Sequence, residues 1–184
     1  MARVSFATGE TATGKELEAY QELESKGKLT NMKRALLLDR ATYDAFMGWY
    51  DSWGALAELL GERTATVYAH AVSTTNSCQL CSLFFISDLK ALGLDPATFE
   101  KTEEEELLTE LAVQIVKDPT AVSDETFAKL KARYTDKEIV IIVGFAAQMI
   151  ATNNFNSVLH IDLDERLLPI KGEFKPATWR ENIQ

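Results

Sequence analysis

Both cysteines of the chain fall in one short stretch, at Cys78 and Cys81. Asn76 or Ser77 can cap a helix whose first turn carries Cys78 and whose second turn begins at Cys81. Unpaired N–H groups and the positive dipole end at a helix N-terminus favour a thiolate and lower the pKa of a thiol. Cysteines three residues apart on a helix are also close enough to form a small disulfide. The spacing therefore predicts a redox-active pair in which one thiol attacks and the other resolves.

Two other interpretations of the cysteine pair remain open. Buried thiols can be inert packing groups. A zinc site normally takes four protein ligands, or three and a water, and beyond its carboxylates the chain adds only His70 and His160 to the pair. The sequence favours a redox role over both, with no metal and no organic cofactor.

Composition limits the partners of the protein. The chain has 184 residues, of which 46% are hydrophobic and 26% charged, and this suits one globular domain with extensions. A formal net charge of −9 disfavours nonspecific binding to nucleic acid or to anionic membranes. The longest apolar run, residues 139–147, is too short to span a bilayer. We therefore expect a soluble, cytoplasmic protein with neither a nucleic-acid nor a membrane partner.

Apolar side chains at helical spacing predict an all-α fold. The candidate helices cover residues 15–25, 40–60, 62–75, 103–116, 123–133 and 136–153. Residues 139–150 are rich in β-branched side chains and could form a buried strand. A capping box formed by Thr135 and Glu138, and the length of the segment, favour a helix instead.

We divide the chain into three segments. Residues 1–34 are expected to form an N-terminal arm and a helix, and residues 35–165 the helical domain. Residues 166–184 read as an irregular tail because they contain two prolines and a glycine. Trp179 is expected to dock this tail on the rest of the protein.

Two polar clusters have a structural and a functional interpretation. Residues 103–106 are four glutamates, which suit the solvated first turn of a helix. Asn153, Asn154 and Asn156 could line a polar pocket, but the C-terminal cap of the long helix is the favoured role.

Aromatic side chains also have two interpretations. Trp49, Tyr50 and Trp53 recur at helical spacing and could frame a slot for an organic hydroperoxide. Aromatic residues in such a pattern more often belong to a core or a subunit interface. We therefore expect packing to be their main role.

Three features of the chain resemble the carboxymuconolactone decarboxylase family, and within it the alkylhydroperoxidase D-like branch. They are the Cys78-Gln79-Leu80-Cys81 pair that opens a helix, the helix stop at residues 91–94, and the segment from residue 134 to the asparagine-rich residues 153–156. The resemblance covers residues 35–165. It implies an alkylhydroperoxidase D-like helical bundle whose subunits form dimers, trimers or hexamers, and a disulfide chemistry that reduces peroxides.

The family pattern also contains a proton relay. A glutamate lies twelve residues before the first cysteine and a histidine four after the second, but Thr66 and Phe85 occupy these positions here. His70 lies one helical turn after Thr66 and could take over the relay, or it could be a packed histidine on a helix face. The resemblance implies that Cys81 attacks and Cys78 resolves, whereas the helix dipole alone ranks them in the opposite order.

Three functions follow from these patterns. The leading hypothesis is a thiol-dependent peroxidase or disulfide oxidoreductase that acts on a peroxide or a disulfide and is reduced by a thiol protein. Because Thr66 and Phe85 replace the relay, the second is a catalytically degenerate helical oligomer of the same fold. The third is a decarboxylase or lyase acting on a lactone acid, for which Arg40, Arg63 or Arg133 would bind the carboxylate.

Overall fold

The computed structural model describes residues 1–179, and within them the chain is helical with no β-strand. The α-helices are α1 (Gly14–Ser25), α2 (Asn31–Leu36), α3 (Arg40–Met47), α4 (Trp49–Leu60), α5 (Glu62–Thr75), α6 (Gln79–Ala91), α7 (Glu103–Lys117), α8 (Asp124–Arg133) and α9 (Asp136–Leu159). Two 3-10 segments cover Pro119–Ala121 and Glu165–Glu173. The all-α class predicted from the sequence is confirmed.

Helix α5 lies at the centre of the bundle, where it packs against α4, α6, α7 and α9. Ten of its fourteen residues are buried, and most are small, so neighbouring helices can approach its backbone closely. The one large side chain among them, Tyr68, donates a hydrogen bond from its hydroxyl to the Ile142 carbonyl of α9 at 3.2 Å. Helix α5 therefore supports both α6, which carries Cys81, and α9.

The β-branched run predicted as a helix lies in α9. Its capping box is formed, since Glu138 Oε2 accepts from the Thr135 amide at 2.7 Å and the Thr135 hydroxyl accepts from the Glu138 amide at 3.4 Å. The helix buries Ile142, Phe145 and Met149 against the core. By length and composition α9 alone among the described helices could cross a membrane, a property it shares with core helices of soluble proteins.

The roles predicted for the asparagines need correction. Helix α9 continues past Asn153 and Asn156 to Leu159, and His160 caps it in the left-handed conformation, with φ 51°. Asn153 and Asn156 are buried within the helix and therefore do not cap its end. Within the core, Asn153 Oδ1 accepts a hydrogen bond from the Ser73 hydroxyl at 3.3 Å.

The first turn of α7 is also less solvated than predicted. Glu105 is 1% exposed, and its carboxylate pairs with Arg63 of α5 at 2.8 Å while its own capping box with Thr102 is formed. Helix spacing alone placed this glutamate on a polar turn. The partner that allows its burial comes from another helix, forty-two residues earlier in the chain.

Both ends of the described chain pack on the bundle. The N-terminal arm is held by the Arg3 amide, which donates to the Leu159 carbonyl at 2.8 Å. In the C-terminal region Leu167 is fully buried, and Glu165–Glu173 forms a 3-10 segment where the sequence predicted irregular structure. Trp179 docks as expected, since its indole N–H donates to the Thr75 carbonyl at 2.7 Å.

Candidate functional site

The cysteine pair lies at the start of α6. Cys78 is the N-cap residue and Gln79 the first residue of the helix, so the helix begins later than predicted. The reason is Ser77, whose left-handed φ of 57° interrupts the helical backbone conformation between α5 and α6. Cys78 is 1% exposed and Cys81 is 6% exposed, and both are free thiols. The two sulfurs therefore lie at adjacent positions around the first turn, inside the protein.

The two thiols have different acidities because they hydrogen-bond each other. The Cys81 thiol donates to the Cys78 sulfur and so lowers the pKa of Cys78, although burial opposes this effect. Backbone N–H groups of Cys81 and Leu80 and the Ser157 hydroxyl act in the same direction. The same hydrogen bond, together with burial, raises the pKa of Cys81 well above its ordinary value. Cys78 is the more acidic thiol, as the helix N-terminus predicts and opposite to the order implied by the resemblance.

Cys81 faces an apolar pocket of about 130 Å³. Five aromatic side chains contribute to its wall: Phe46, Trp49, Tyr50, Phe84 and Phe85. Trp53 lies behind them and stacks on Trp49 with ring centroids 5.5 Å apart. The predicted aromatic group thus serves both interpretations, since Trp49 and Tyr50 line the pocket while Trp53 packs beneath it.

Cys78 faces a second, more polar cavity of about 530 Å³. Its wall includes Ser77, Ser157, His160, Asp162 and Lys171. Asn156 lines both cavities and donates from Nδ2 to the Cys81 sulfur at 3.2 Å. The two sulfurs of the cysteine pair therefore open on chemically different spaces.

Backbone strain is concentrated at the polar cavity. In the described part of the chain, Ser77 and His160 are the two non-glycine residues with left-handed φ, at 57° and 51°, and both line this cavity. Each such conformation costs roughly 1–2 kcal/mol for an ordinary residue. Strain of this kind is found most often at functional sites. Sequence reasoning singled out neither residue for this cavity, because a left-handed serine or histidine leaves no pattern in the sequence.

The positions of the family relay hold groups without acid–base function. Thr66 is buried and its hydroxyl donates to the Glu62 carbonyl at 2.8 Å, within the same helix. Phe85 forms part of the apolar pocket and packs near Trp53, with ring centroids 6.1 Å apart. The structure thus places an aromatic wall where the family pattern has an imidazole.

His70 does not line either cavity. Its Nε2 lies 3.2 Å from the Thr74 hydroxyl, which in turn donates to the Ser82 hydroxyl at 3.4 Å. Burial, with a smaller contribution from Lys101, lowers the pKa of His70 to about 4. The contacts of His70 thus place a neutral imidazole in the α5–α6 interface, at a distance from the two spaces on which the thiols open.

The charged groups that the sequence suggested as ligands of a metal ion or a carboxylate form no such site in the described chain. Within residues 1–179 no three His, Cys, Asp or Glu side chains are grouped so that they could hold a metal ion. The arginines considered as carboxylate ligands each pair with an acidic side chain of the protein: Arg40 with Asp44, Arg63 with Glu105 and Arg133 with Glu104. None of the three lines either cavity.

Comparison with known proteins gives a structural neighbour. No protein-family model matches the sequence, and no curated protein matches it. The fold is similar to the crystal structure of an uncharacterized peroxidase-related protein from Silicibacter sp. TM1040, with a TM-score of 0.73 and 14% sequence identity. The match covers 95% of this chain and 96% of that one. The two proteins therefore share one all-α fold over nearly their whole lengths.

Proposed function

We propose that the protein is a thiol-dependent oxidoreductase of the peroxidase type, which cycles between a Cys78–Cys81 dithiol and a disulfide. The observation that carries the proposal is the hydrogen-bonded thiol pair at the N-terminus of α6, in which Cys78 is the more acidic member. A low pKa at one thiol and a raised pKa at its neighbour separate the attacking from the resolving sulfur. The peroxidase-related structural neighbour agrees with this chemistry.

The proposed reaction uses the two cysteines, a proton donor, an oxidant and a reductant. The Cys78 thiolate attacks one peroxide oxygen, the O–O bond breaks, and the leaving oxygen takes a proton and departs as water or an alcohol. Cys78 is then a sulfenic acid, and Cys81 attacks its sulfur, so that water leaves and the disulfide forms. Two thiols of the reductant reopen the disulfide and are themselves oxidised to a disulfide.

A proton source is needed for the leaving oxygen, because general acid catalysis of such a step is typically worth about 10²–10⁴-fold in rate. We assign this role to His160, which lies on the same cavity as Cys78. His70, for which the sequence left open a relay role or a packed position, lies on neither cavity. We assign the peroxide to the polar cavity for the same reason, since it contains both the acidic thiol and the imidazole.

The partners of the reaction are proposals as well. A thiol protein is the proposed reductant, and the cytoplasm, where thiols are kept reduced, is the proposed location.

A homo-oligomer of two, three or six subunits is the proposed assembly. Exposed apolar side chains on α8 and α9 support it, among them Val140 at 70% exposure, with Phe127 and Val143 also exposed. Light scattering coupled to size-exclusion chromatography measures the subunit number directly.

The decisive experiment is the mass of the protein after dilute peroxide followed by alkylation, compared with Cys78→Ser and Cys81→Ser. We expect the wild type to lose two hydrogen atoms and to resist alkylation, and a reductant to restore both thiols. Either substitution should abolish this change and leave a sulfenic acid or a free thiol.

The same experiment decides the competing function, a catalytically degenerate oligomer. Thr66 and Phe85 favour this alternative because both relay groups are absent. Two thiols that remain fully alkylatable after peroxide and after a small disulfide, in a folded wild-type protein, would exclude the oxidoreductase and favour the degenerate alternative. Treatment with a small disulfide in place of peroxide shows whether the pair reacts with a disulfide, a peroxide or both.

A further inference from the structure

The apolar pocket at Cys81 contains a buried lysine. Lys33 of α2 is 4% exposed and lines the pocket wall. Its ammonium donates to the Lys28 carbonyl at 2.9 Å and lies 4.9 Å from the centre of the Tyr50 ring. An ammonium group has three N–H donors, so one carbonyl does not saturate it.

Lys33 has no carboxylate counterpart within the described chain. None of the ion pairs formed by residues 1–179 includes it. The positive charge of Lys33 acts to lower the pKa of Asp164, but the two side chains form no ion pair. The other charged residue on the pocket, Asp88, is exposed and lies within electrostatic range of Arg166. Lys33 is therefore a buried cation without an ion-pair partner, a costly arrangement unless an anion reaches it.

A second polar group of the pocket also lacks a partner. Asn156 is 3% exposed, and its Oδ1 has no hydrogen-bond partner in the described structure, whereas its Nδ2 is engaged by sulfur atoms of Cys81 and Met32. Buried amide oxygens are nearly always hydrogen-bonded, so an orphaned one on a cavity wall indicates a ligand or a water. Apart from Thr30, Thr152, Cys81 and Asp88, the remaining wall is aromatic and aliphatic, which suits an apolar molecular body.

From these observations we infer that the pocket binds a small carboxylic acid with a compact apolar body. The carboxylate pairs with the Lys33 ammonium, and the body packs against the aromatic wall that contains Trp49. The volume of about 130 Å³ is close to that of cavities known to hold benzene, roughly 150 Å³, so a single ring or a short chain fits. Asn156 Oδ1 supplies an acceptor for a hydroxyl or hydroperoxide hydrogen of the same molecule. The inference goes beyond the proposed redox function, because binding needs no reaction at the cysteines.

The test compares benzoate with benzyl alcohol, which has a similar body without the charge. Binding is followed by intrinsic tryptophan fluorescence, to which Trp49 on the pocket wall contributes, and by calorimetry. In the wild type we expect benzoate to bind about 10- to 100-fold more tightly than benzyl alcohol, the range expected for a charge-assisted hydrogen bond. Lys33→Met should remove this preference and leave the affinity for benzyl alcohol unchanged. Lys171→Met, which removes an exposed lysine at the polar cavity, is the matched control and should keep the preference.

Equal affinity of the wild type for the two probes, or no binding of either, would overturn the inference. So would a benzoate preference that survives in Lys33→Met or disappears in Lys171→Met. Should Lys33→Met fail to fold by circular dichroism, the wild-type comparison of the two probes decides alone. Because these measurements use no oxidant, inert cysteines would refute the proposed function and leave this result unaffected.

Discussion

Asn156 donates a hydrogen bond from Nδ2 to the sulfur of Cys81 at 3.2 Å. The contact joins the last third of α9 to the first turn of α6, across seventy-five residues of chain. Because it stabilises the thiolate, this hydrogen bond opposes the rise in the pKa of Cys81 that Cys78 and burial produce. Asn156 therefore helps to set the acidity of the Cys81 thiol.

Replacing Asn156 with leucine should raise the pKa of Cys81 further, since a hydrogen bond that stabilises the thiolate is lost. The measurement is the pH dependence of alkylation by iodoacetamide, in a Cys78→Ser background that isolates Cys81. Asn154→Leu is the control, because Asn154 is exposed and bonds Asn76 instead of a cysteine. An unchanged profile for Asn156→Leu in the folded protein would contradict the role assigned to the amide.

The order of the two thiols is tested by isolating each of them. In Cys81→Ser the serine hydroxyl can still donate to Cys78, so the pKa of Cys78 should stay below the ordinary thiol value. In Cys78→Ser the pKa of Cys81 should lie above it, because burial remains. Alkylation at neutral pH should therefore be several-fold faster in Cys81→Ser. A faster reaction in Cys78→Ser would restore the order that the family resemblance implies.

His160→Gln should slow the reaction with peroxide about 10²-fold, since an imidazole proton donor is lost from the cavity of Cys78. Alkylation of Cys78 by iodoacetamide should change little, because that reaction needs no proton for its leaving group. His70→Gln is the matched control and should react with peroxide at nearly the wild-type rate. If His70→Gln is the slower variant, the relay predicted from the sequence is correct and His160 is a structural cap.

His70 should also make the fold sensitive to acid. Its pKa is lowered from 6.5 to about 4 in the folded protein, so between these values the unfolded chain binds a proton that the folded chain excludes. The contribution of His70 to stability is therefore fully present above pH 6.5 and is lost as the pH drops toward 4, by about 3 kcal/mol in total. Urea unfolding at pH 7, 5 and 4 measures this loss. The His70→Gln variant should show a flatter pH dependence, and an identical slope in both proteins would argue against a neutral, buried imidazole.

The capping box of α9 makes a measurable contribution to stability. Thr135→Ala should lower the free energy of unfolding by about 1 kcal/mol, which corresponds to a fall of about 2–4 °C in Tm for a domain of this size. Thr13→Ala tests the same substitution at the N-cap of α1, where the threonine side chain accepts no capping hydrogen bond. Equal shifts in the two variants would mean that the loss of threonine itself, rather than the cap, is measured.

Local patterns predicted most of the helices correctly. Apolar spacing and capping residues located α1, α5, α7, α8 and α9, because both signals depend on neighbours within a few residues. The single helix predicted for residues 40–60 is divided into α3 and α4. The start of α6 was predicted too early because Ser77 takes a left-handed conformation, which is rare for serine and cannot be predicted from the sequence. The burial of Glu105 was missed because Arg63, which compensates its charge, belongs to another helix.

The candidate site, like the fold, could be predicted from the sequence only in part. Cys78 and Cys81 are adjacent on one turn, so their relationship could be predicted from spacing alone. The cavities on which they open are assembled from distant segments, as the contact between Asn156 and Met32 illustrates, 124 residues apart. The presence of His160 on one cavity and of Lys33 on the other therefore required the three-dimensional structure.

Only two residues separate Cys78 from Cys81, so a disulfide between them would close a very short loop. The conformational entropy that a crosslink removes from the unfolded chain grows with loop length, and a loop this short lies at the low end of that range. In the proposed redox cycle, oxidation would therefore add little to the stability of the fold, and reduction would take little away. The helical bundle would then remain intact through repeated cycles of oxidation and reduction.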